Sequence, residues 1–172
     1  MTVDAALDIR LFVTDVDGTL TDGGMYYTAN GEYMKLFNTR DGMGLSMLRE
    51  AGIEVCMMTS ENSDIVLRRA EKLGVTRVYL GVLDKLAQLT ALCQELDLPL
   101  THVAYVGDDV NDLEVIRNVG LGFAVADADS RILEAANVRL SKRGGGGAVR
   151  EAAEWVLERA HQRLGSAKHG GI

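Results

Sequence analysis

Positive charge is scarce in this chain of 172 residues. Its 18 lysines and arginines are outnumbered by 25 aspartates and glutamates, which gives a formal net charge of -7. Phosphate backbones are bound by basic surfaces, so this deficit argues against a nucleic-acid partner. A small anionic substrate needs only local positive charge and is not excluded.

Cysteines and long apolar runs are also few. Cys56 and Cys93 lie in apolar segments and form no close-spaced pair, which predicts reduced, buried thiols in a cytoplasmic protein. No apolar run is long enough to cross a bilayer, and the N-terminus lacks the basic and then apolar segments of a signal peptide. We therefore expect a cytoplasmic protein without a membrane partner.

The chain does contain a regular alternation of short apolar runs with longer amphipathic stretches, and it has no internal repeat. This alternation predicts an α/β fold, with a Rossmann-like parallel sheet covered by helices on both faces. The length and the 47% hydrophobic content suit a single domain. The predicted strands are 9–14, 53–59, 77–80, 102–106, 122–125 and 138–140, and the predicted helices are 42–51, 64–73, 85–96, 111–119, 130–136 and 148–164.

One segment interrupts the alternation. Two short runs, Met25–Tyr27 and Tyr33–Phe37, flank Asn30-Gly31, which is a strong turn signal. Residues 22–38 are therefore predicted to form a β-hairpin flap rather than a crossover helix. The flap is too small to be a cap domain that closes over a bound substrate, so exclusion of water from a site beside it would need another subunit.

Two segments rich in glycine are expected to be flexible. Residues 144–147 are four consecutive glycines after Lys142-Arg143, and they predict a flexible loop that offers amides or basic side chains to an anion. Residues 165–172 are expected to form a flexible tail, which leaves 1–164 as the predicted domain.

The strongest chemical signal is the end of the first apolar run. Leu11–Thr14 leads directly into Asp15 and Asp17, two carboxylates one residue apart, followed by Gly18. A buried strand would deliver both acids to the carboxyl edge of the sheet, where open α/β proteins bind ligands. Two such carboxylates repel each other unless a cation lies between them, and Mg²⁺ is the usual one. The alternative is an acidic strand end that faces water.

Asp15 is the candidate nucleophile. A carboxylate can attack the phosphorus of a phosphate ester once the negative charges of both groups are neutralised, and Mg²⁺ would supply most of that neutralisation. Asp17 is placed to act as a general acid and then as a general base.

Two further residues are candidates for binding an anion. Thr59 ends the second apolar run, where its hydroxyl can donate a hydrogen bond to a phosphate oxygen, although a helix cap is the plainer alternative. Lys85 begins a predicted helix, where the helix dipole disfavours a cation, so an anionic partner is expected. The alternative for Lys85 is a solvated surface charge.

A later apolar run, Val103–Val106, also ends in clustered acids after a glycine. Asp108 is expected to bind Mg²⁺ directly, with Asp109, Asn111 and Asp112 in a second layer that holds metal-bound waters or Lys85. An acidic helix N-terminus is favourable by itself and is the alternative. It does not explain why two strands that end in acids bracket a threonine and a lysine in this order.

Four motifs emerge in chain order: the acids from Asp15, then Thr59, then Lys85, and then the acids from Asp108. They resemble the motifs of the haloacid dehalogenase superfamily, and the resemblance runs from about Ile9 to Leu157. Members mostly transfer phosphoryl groups through an aspartyl-phosphate. The resemblance implies that Asp15 is both nucleophile and Mg²⁺ ligand, and that Asp17 binds Mg²⁺ through its backbone carbonyl. It also implies that Thr59 binds the phosphate and that Lys85 bridges the phosphate and Asp15.

The hairpin directly after the first motif resembles the small-cap subgroup of that superfamily. Gly23–Tyr27, Lys35–Gly42 and Lys142–Gly145 are similar to the phosphatases of eight- and nine-carbon keto-sugar acids. The resemblance implies a sugar-acid phosphate as substrate. It also implies a homotetramer in which neighbouring subunits close each other's active sites.

The loop after Thr59 separates the members of this subgroup. The eight-carbon enzymes typically have Thr-Gly-Arg, whereas this chain has Thr59-Ser60-Glu61, which resembles the nine-carbon enzymes. That resemblance implies that Glu61 and Lys72 bind the sugar acid, with Arg69 and Arg143 as candidates for its carboxylate. An exposed helix face is the alternative for Arg69 and Lys72.

Our first expectation is therefore a Mg²⁺-dependent phosphatase of 2-keto-3-deoxynononate 9-phosphate or N-acylneuraminate 9-phosphate. The alternative is a 3-deoxy-manno-octulosonate 8-phosphate phosphatase of lipopolysaccharide synthesis. A third hypothesis, from another class, is a non-catalytic tetramerisation module associated with a cytidylyltransferase. The presence of all five residues expected for catalysis argues against the third; they are Asp15, Asp17, Thr59, Lys85 and Asp108.

Overall fold

The computed structural model describes residues 8–167, with side chains described up to residue 160. Its centre is a sheet of six parallel strands in the order β5-β4-β1-β6-β7-β8. These strands are β1 (Leu11–Thr14), β4 (Glu54–Met58), β5 (Arg77–Tyr79), β6 (Val103–Gly107), β7 (Leu121–Ala124) and β8 (Val138–Arg139).

Helices cover both faces of the sheet. Helix α1 packs against α2 and α6, while α4 packs against α3 and α5. Their bounds are α1 (Thr39–Glu50), α2 (Asp64–Leu73), α3 (Lys85–Glu95), α4 (Leu113–Asn118), α5 (Ser130–Ala135) and α6 (Ala148–Ala167). The predicted α/β fold is confirmed. No helix within residues 8–167 is long and apolar enough to cross a membrane.

The first strand lies in the middle of the sheet. All four residues of β1 are buried, and Val13 is paired with Cys56 on one side and with Tyr105 on the other. Continuous apolar strands of this kind suit a parallel sheet that is covered on both faces. Because β1, β4 and β6 are parallel neighbours, the residues that follow them meet at one edge of the sheet.

The predicted hairpin is present and stands apart from the main sheet. It consists of β2 (Tyr26–Thr28) and β3 (Gly31–Met34), which pair antiparallel around Asn30-Gly31. Gly31 has a φ of 111°, a conformation that favours glycine in a tight turn. The hairpin is the only insertion between β1 and α1 in the described chain, and no large cap domain is present there.

Helices α1 and α6 are joined by a buried carboxylate. Asp41, in the first turn of α1, accepts hydrogen bonds from the backbone amides of Gly147 and Arg150 at 3.2 and 2.9 Å. Those amides belong to the start of α6, where backbone donors have no partner within the helix. Asp41 therefore caps the N-terminus of a neighbouring helix, where a negative charge is favourable.

The four-glycine segment differs from its prediction as a flexible loop. Gly144 is buried, and Gly145 donates a backbone hydrogen bond to the carbonyl of Thr19 at 3.0 Å. A methyl group on Gly144 would lie 1.8 Å from the carbonyl oxygen of Gly18. The glycines thus allow this segment to pack against the loop after β1, an approach that composition alone did not reveal.

The predicted tail overlaps the last helix. Helix α6 continues to Ala167, beyond the predicted end at residue 164, and residues 168–172 lie outside the described residues. The boundary between domain and tail therefore stays a prediction.

Candidate active site

The loop after β1 carries the first two acids and is shaped by a glycine. Asp15 donates its backbone amide to the carbonyl of Val106 on β6, which holds the loop at the sheet edge. Gly18 has a φ of 87°, and a methyl group there would lie 2.0 Å from Oδ2 of Asp108. Glycine is therefore required both for the turn and for the close approach of the two acidic loops.

Lys85 joins two of the acids in the interior. Its Nζ lies 2.6 Å from Oδ1 of Asp15 and 2.6 Å from Oδ1 of Asp112, and its side chain is completely buried. Burial lowers the pKa of this ammonium group, but the two carboxylates outweigh burial, so the pKa lies above its usual value. Lys85 is thus a buried, charged group beside the candidate nucleophile, not a solvated surface charge.

Asp112 is held by donors on both of its oxygens. Oδ1 accepts from Lys85 and from the hydroxyl of Tyr105, each at 2.6 Å. Oδ2 accepts from the backbone amides of Asp108 and Asp109, at 3.0 and 3.4 Å. A carboxylate has about four lone-pair positions, and all are in use here. Asp112 therefore organises Lys85 and the loop after β6.

Three carboxylates of the site lie close enough to share a cation. Oxygen atoms of Asp15, Asp108 and Asp112 all lie within 4.8 Å of one another. Because both oxygens of Asp112 already accept hydrogen bonds, Asp15 and Asp108 are the two whose oxygens are available to a cation. Burial and the negative charge of Asp112 raise the pKa of Asp15 well above its usual value and raise the pKa of Asp108 to about 7. The raised pKa values mean that burial and the neighbouring carboxylate disfavour the charged forms, and a divalent cation bound between them would offset both effects.

The side chain of Asp17 points to a different set of partners. Its Oδ1 accepts from Nζ of Lys35 at 2.5 Å, and its Oδ2 accepts from the hydroxyl of Thr59 at 3.2 Å. Asp17 lies outside the group of three carboxylates, so its side chain is not needed to hold a cation and can serve proton transfer. Its predicted metal contact through the backbone carbonyl stays a prediction.

Thr59 and the two residues after it lie beside Asp17. Thr59 follows β4 and is buried, and its hydroxyl also accepts a hydrogen bond of 3.1 Å from the backbone amide of Glu61. Asn111 donates its side-chain amide to the hydroxyl of Ser60 at 3.1 Å. The side chain of Asp109 accepts from the amide of Val110 and caps the short helical turn that follows.

The chain matches a family model described as haloacid dehalogenase-like hydrolase over residues 74–152. The 3-deoxy-D-manno-octulosonate 8-phosphate phosphatase of Escherichia coli K12 is 41% identical over 167 residues, which cover 97% of this chain and 88% of that protein. The chain belongs to the haloacid dehalogenase-like hydrolases. The corresponding phosphatase of Haemophilus influenzae is 40% identical over 88% of this chain and 84% of its own length.

Solved structures agree with this assignment. The 3-deoxy-D-manno-octulosonate 8-phosphate phosphatase of Moraxella catarrhalis, in complex with magnesium, phosphate and the KDO molecule, has a TM-score of 0.87 and 39% identity. The alignment covers 90% of this chain and 89% of that one. The predicted family, the phosphomonoesterase activity and the Mg²⁺ cofactor of this haloacid dehalogenase-like hydrolase are confirmed. The hypothesis of a non-catalytic module is correspondingly not supported.

Within the described residues, the four predicted substrate residues form no hydrogen bond or ion pair with the acids of the site, although the amide of Glu61 donates to Thr59. Arg69 donates to the backbone carbonyl of Asn38 at 3.2 Å and stacks over the ring of Phe37, so its guanidinium is directed at the start of α1. Glu61 and Lys72 are exposed. Arg143 is also exposed, and it lies 4.0 Å from Asp127. Their roles in binding substrate stay predictions.

Lys35 and Tyr105 belong to the site although sequence analysis did not identify them as site residues. Lys35 stands between Met34 and Leu36, and Tyr105 is the one residue with a polar group in the apolar strand β6. A polar atom within an apolar run is the available signal, because buried polar groups need partners.

Proposed function

We propose that this hydrolase is a 3-deoxy-manno-octulosonate 8-phosphate phosphatase. The observation that supports it best is that two relatives with this activity are 40–41% identical over most of both chains. This favours the eight-carbon substrate over the nine-carbon acids expected from Glu61. A single loop residue carries less weight than similarity along the whole chain, since other positions also contact a substrate of this size.

The nine-carbon keto-sugar acids remain the second candidate. Glu61 follows the Thr59-Ser60 pair at the site and is exposed, so its carboxylate is available to accept hydrogen bonds from sugar hydroxyls. Only a comparison of substrates separates the two candidates, because both use the same phosphoryl chemistry.

Asp15 begins the proposed reaction. A carboxylate oxygen of Asp15 forms a bond to phosphorus, and the bond between phosphorus and the sugar oxygen breaks. Protonated Asp17 gives its proton to the departing oxygen, and the sugar acid leaves. Lys85 stays between Asp15 and Asp112, where its charge offsets the negative charge that the phosphate brings.

Asp17 also serves the second half of the reaction. Its carboxylate takes a proton from a water molecule as the water oxygen attacks phosphorus, and the bond from phosphorus to Asp15 breaks. Asp15, Asp108 and the backbone of Asp17 would hold Mg²⁺, which when bound compensates the charge of the phosphate and the carboxylates. Phosphate leaves, and Asp17 is again protonated for the next cycle.

A homotetramer in the cytoplasm completes the proposal. The hairpin exposes several large apolar side chains, notably Tyr27 at 61% and Tyr33 at 71%. Exposed apolar groups clustered in one element are typical of an interaction surface. Because the hairpin is the only insertion beside the site in the described chain, neighbouring subunits are the proposed source of the missing cover.

The experiment that tests the substrate is steady-state phosphate release with Mg²⁺. Octulosonate 8-phosphate, deoxynononate 9-phosphate and N-acetylneuraminate 9-phosphate are compared at matched concentrations. We expect the highest kcat/KM with the eight-carbon substrate. A preference for the nine-carbon acids would keep the mechanism but overturn the proposed substrate and restore the role expected for Glu61.

Replacement of the nucleophile tests the mechanism separately. We expect Asp15→Asn to lower kcat by at least about 10³-fold, since an amide cannot form the phosphoryl ester. The fold should be retained, because asparagine has nearly the shape of aspartate and Asp112 remains as a carboxylate partner of Lys85. Phosphate release and thermal unfolding are measured together, and a folded variant with full activity would remove Asp15 from its role.

A further inference from the structure

Lys35 turns back from an exposed hairpin into the protein. The two residues before it, Tyr33 and Met34, are 71% and 44% exposed, whereas the side chain of Lys35 is completely buried. Burial of an ammonium group is costly unless the group is paired. Its Nζ lies 2.5 Å from Oδ1 of Asp17 and 2.6 Å from Oε1 of Glu32. The burial of Lys35 is therefore explained by its two carboxylate partners.

The two oxygens of Asp17 have partners of different kinds. Oδ2 accepts from the hydroxyl of Thr59, a group expected to turn to the phosphate when substrate binds. Oδ1 accepts from Lys35, a charged group whose other donors are directed to Glu32 and to Sδ of Met25. The bond to Lys35 can thus persist while the bond to Thr59 is exchanged. This leaves Oδ2 as the oxygen that is available to move a proton.

Glu32 extends the same connection to helix α2. It accepts a hydrogen bond from the hydroxyl of Ser63, the residue before α2. Ser63 occupies the N-cap position but makes no capping hydrogen bond with its side chain, although serine is well suited to cap a helix. Its hydroxyl is directed to the hairpin instead. One cation therefore links the hairpin, the loop of Asp17 and, through Glu32, the start of α2.

We propose that Lys35 is a positioning residue for Asp17. It holds Oδ1 of the carboxylate that gives a proton to the leaving oxygen and later takes one from water, and it ties this carboxylate to the hairpin. The inference rests on the proposed function, which assigns proton transfer to Asp17. Lys35 touches the proposed chemistry through Asp17, so its loss should matter most where the leaving group needs a proton.

The test compares two aryl phosphates with Lys35→Met. Phenol is a poorer leaving group than 4-nitrophenol and depends more on a proton from the enzyme. We expect kcat/KM for phenyl phosphate to fall by about 10- to 100-fold and that for 4-nitrophenyl phosphate by less than about 3-fold. Equal losses on both substrates, or no loss on either, would overturn the assignment.

Glu32→Gln is the matched control. It removes the other charge beside Lys35 but leaves the contact between Lys35 and Asp17 in place. A purely structural role for Lys35 predicts similar behaviour for the two variants. We expect Glu32→Gln to lower kcat/KM for both aryl phosphates by the same small factor, below about 3-fold. Dependence on the leaving group as strong as that of Lys35→Met would contradict the proposal.

A second variant covers the case in which Lys35→Met does not fold. Lys35→Arg keeps a cation beside both carboxylates but moves its donors, so it should show the same dependence on the leaving group, with a loss of several-fold for phenyl phosphate. An equal loss on both substrates would again count against the proposal. The aryl phosphates do not depend on the identity of the sugar, so failure of the proposed substrate is detected in the wild-type enzyme and failure of this inference in the variants.

Discussion

At the scale of single residues, the site concentrates more negative charge than its protein groups neutralise. Asp15, Asp108 and Asp112 lie close together, and the ammonium group of Lys85 contacts two of them, Asp15 and Asp112. Burial and the charge of Asp112 raise the pKa of Asp108 from 3.8 to about 7. A metal ion that binds the ionised carboxylate must therefore compete with a proton, and stability, pH and Mg²⁺ are linked.

This linkage predicts that Mg²⁺ stabilises the protein more at neutral than at acid pH. Between pH 3.8 and about 7 the folded protein keeps the proton of Asp108 while the unfolded chain has lost it, so stability without metal falls as the pH rises through this window. Mg²⁺ acts against this loss. The gain in Tm when Mg²⁺ replaces EDTA should be larger at about pH 7.5 than at about pH 5. An equal gain at both pH values would contradict this prediction. Asp108→Asn should reduce the difference, leaving the part that comes from the raised pKa of Asp15.

Residues at strand ends could be predicted from the sequence, whereas residues brought in by tertiary contacts could not. Asp15 and Asp108 follow apolar strands, and parallel strands deliver such residues to one edge. No such rule applies to Lys35, because its burial depends on the ion pair with Asp17, which forms only in the folded chain. Tyr105 resembles an ordinary core residue until its hydroxyl is seen to donate to Asp112.

At the scale of elements, the position of the site depends on helix ends and close loops. Helix α1 begins at Thr39, three residues before the predicted start at residue 42. The side chain of Asn38 accepts a hydrogen bond from the amide of Arg40 and so caps the helix there. The additional turn contains Asp41, the residue that caps α6. An N-cap that lies before an apolar pattern is readily missed when the pattern alone sets the boundary.

The link between α1 and α6 predicts a loss of stability without a loss of chemistry. Asp41→Ala leaves amides at the start of α6 without their acceptor, and we expect it to lower the free energy of unfolding by about 1–3 kcal/mol. Asp64→Ala is the matched control, since Asp64 is an exposed acid in the first turn of α2. Urea unfolding measures both variants, and equal effects would remove the special role of Asp41.

The contact between the glycine segment and the loop after β1 predicts a loss of activity. In Gly144→Ala the new methyl group would meet the carbonyl oxygen of Gly18 at 1.8 Å, so the loop that carries Asp15 and Asp17 must move. We expect kcat to fall by about 10-fold or more, because small displacements of catalytic groups are costly.

Gly52→Ala is the control for the effect of removing a glycine. Gly52 also has a positive φ, of 80°, but a methyl group there meets nothing within 4 Å. We expect this variant to lose about 1 kcal/mol of stability and to keep its kcat. The conclusion about Gly144 would be withdrawn if both variants lost activity equally.

At the scale of the whole molecule, the chain places its active-site acids beside an apolar projection. The acids lie at the carboxyl edge of the sheet, and the hairpin, which carries Lys35, is anchored to Asp17 at its base. The outer part of the hairpin exposes Tyr26, Tyr27, Tyr33 and Met34. Assembly through the hairpins would bury these groups and, since Lys35 is part of the hairpin, would connect assembly to the position of Asp17.

Assembly is therefore expected to affect catalysis. The double variant Tyr27→Glu, Tyr33→Glu places charge on the exposed hairpin surface, and we expect it to convert a species of four times the mass of one chain into smaller species. Light scattering after size exclusion measures the mass, and Leu67→Glu, at a 43% exposed apolar residue of α2, is the control that should keep it. Loss of the neighbours should also lower kcat/KM for the sugar phosphate more than for 4-nitrophenyl phosphate, because a small substrate needs less cover.

A wild-type monomer would refute the tetramer. A variant of smaller mass with unchanged kinetics on both substrates would show that each subunit completes its own site.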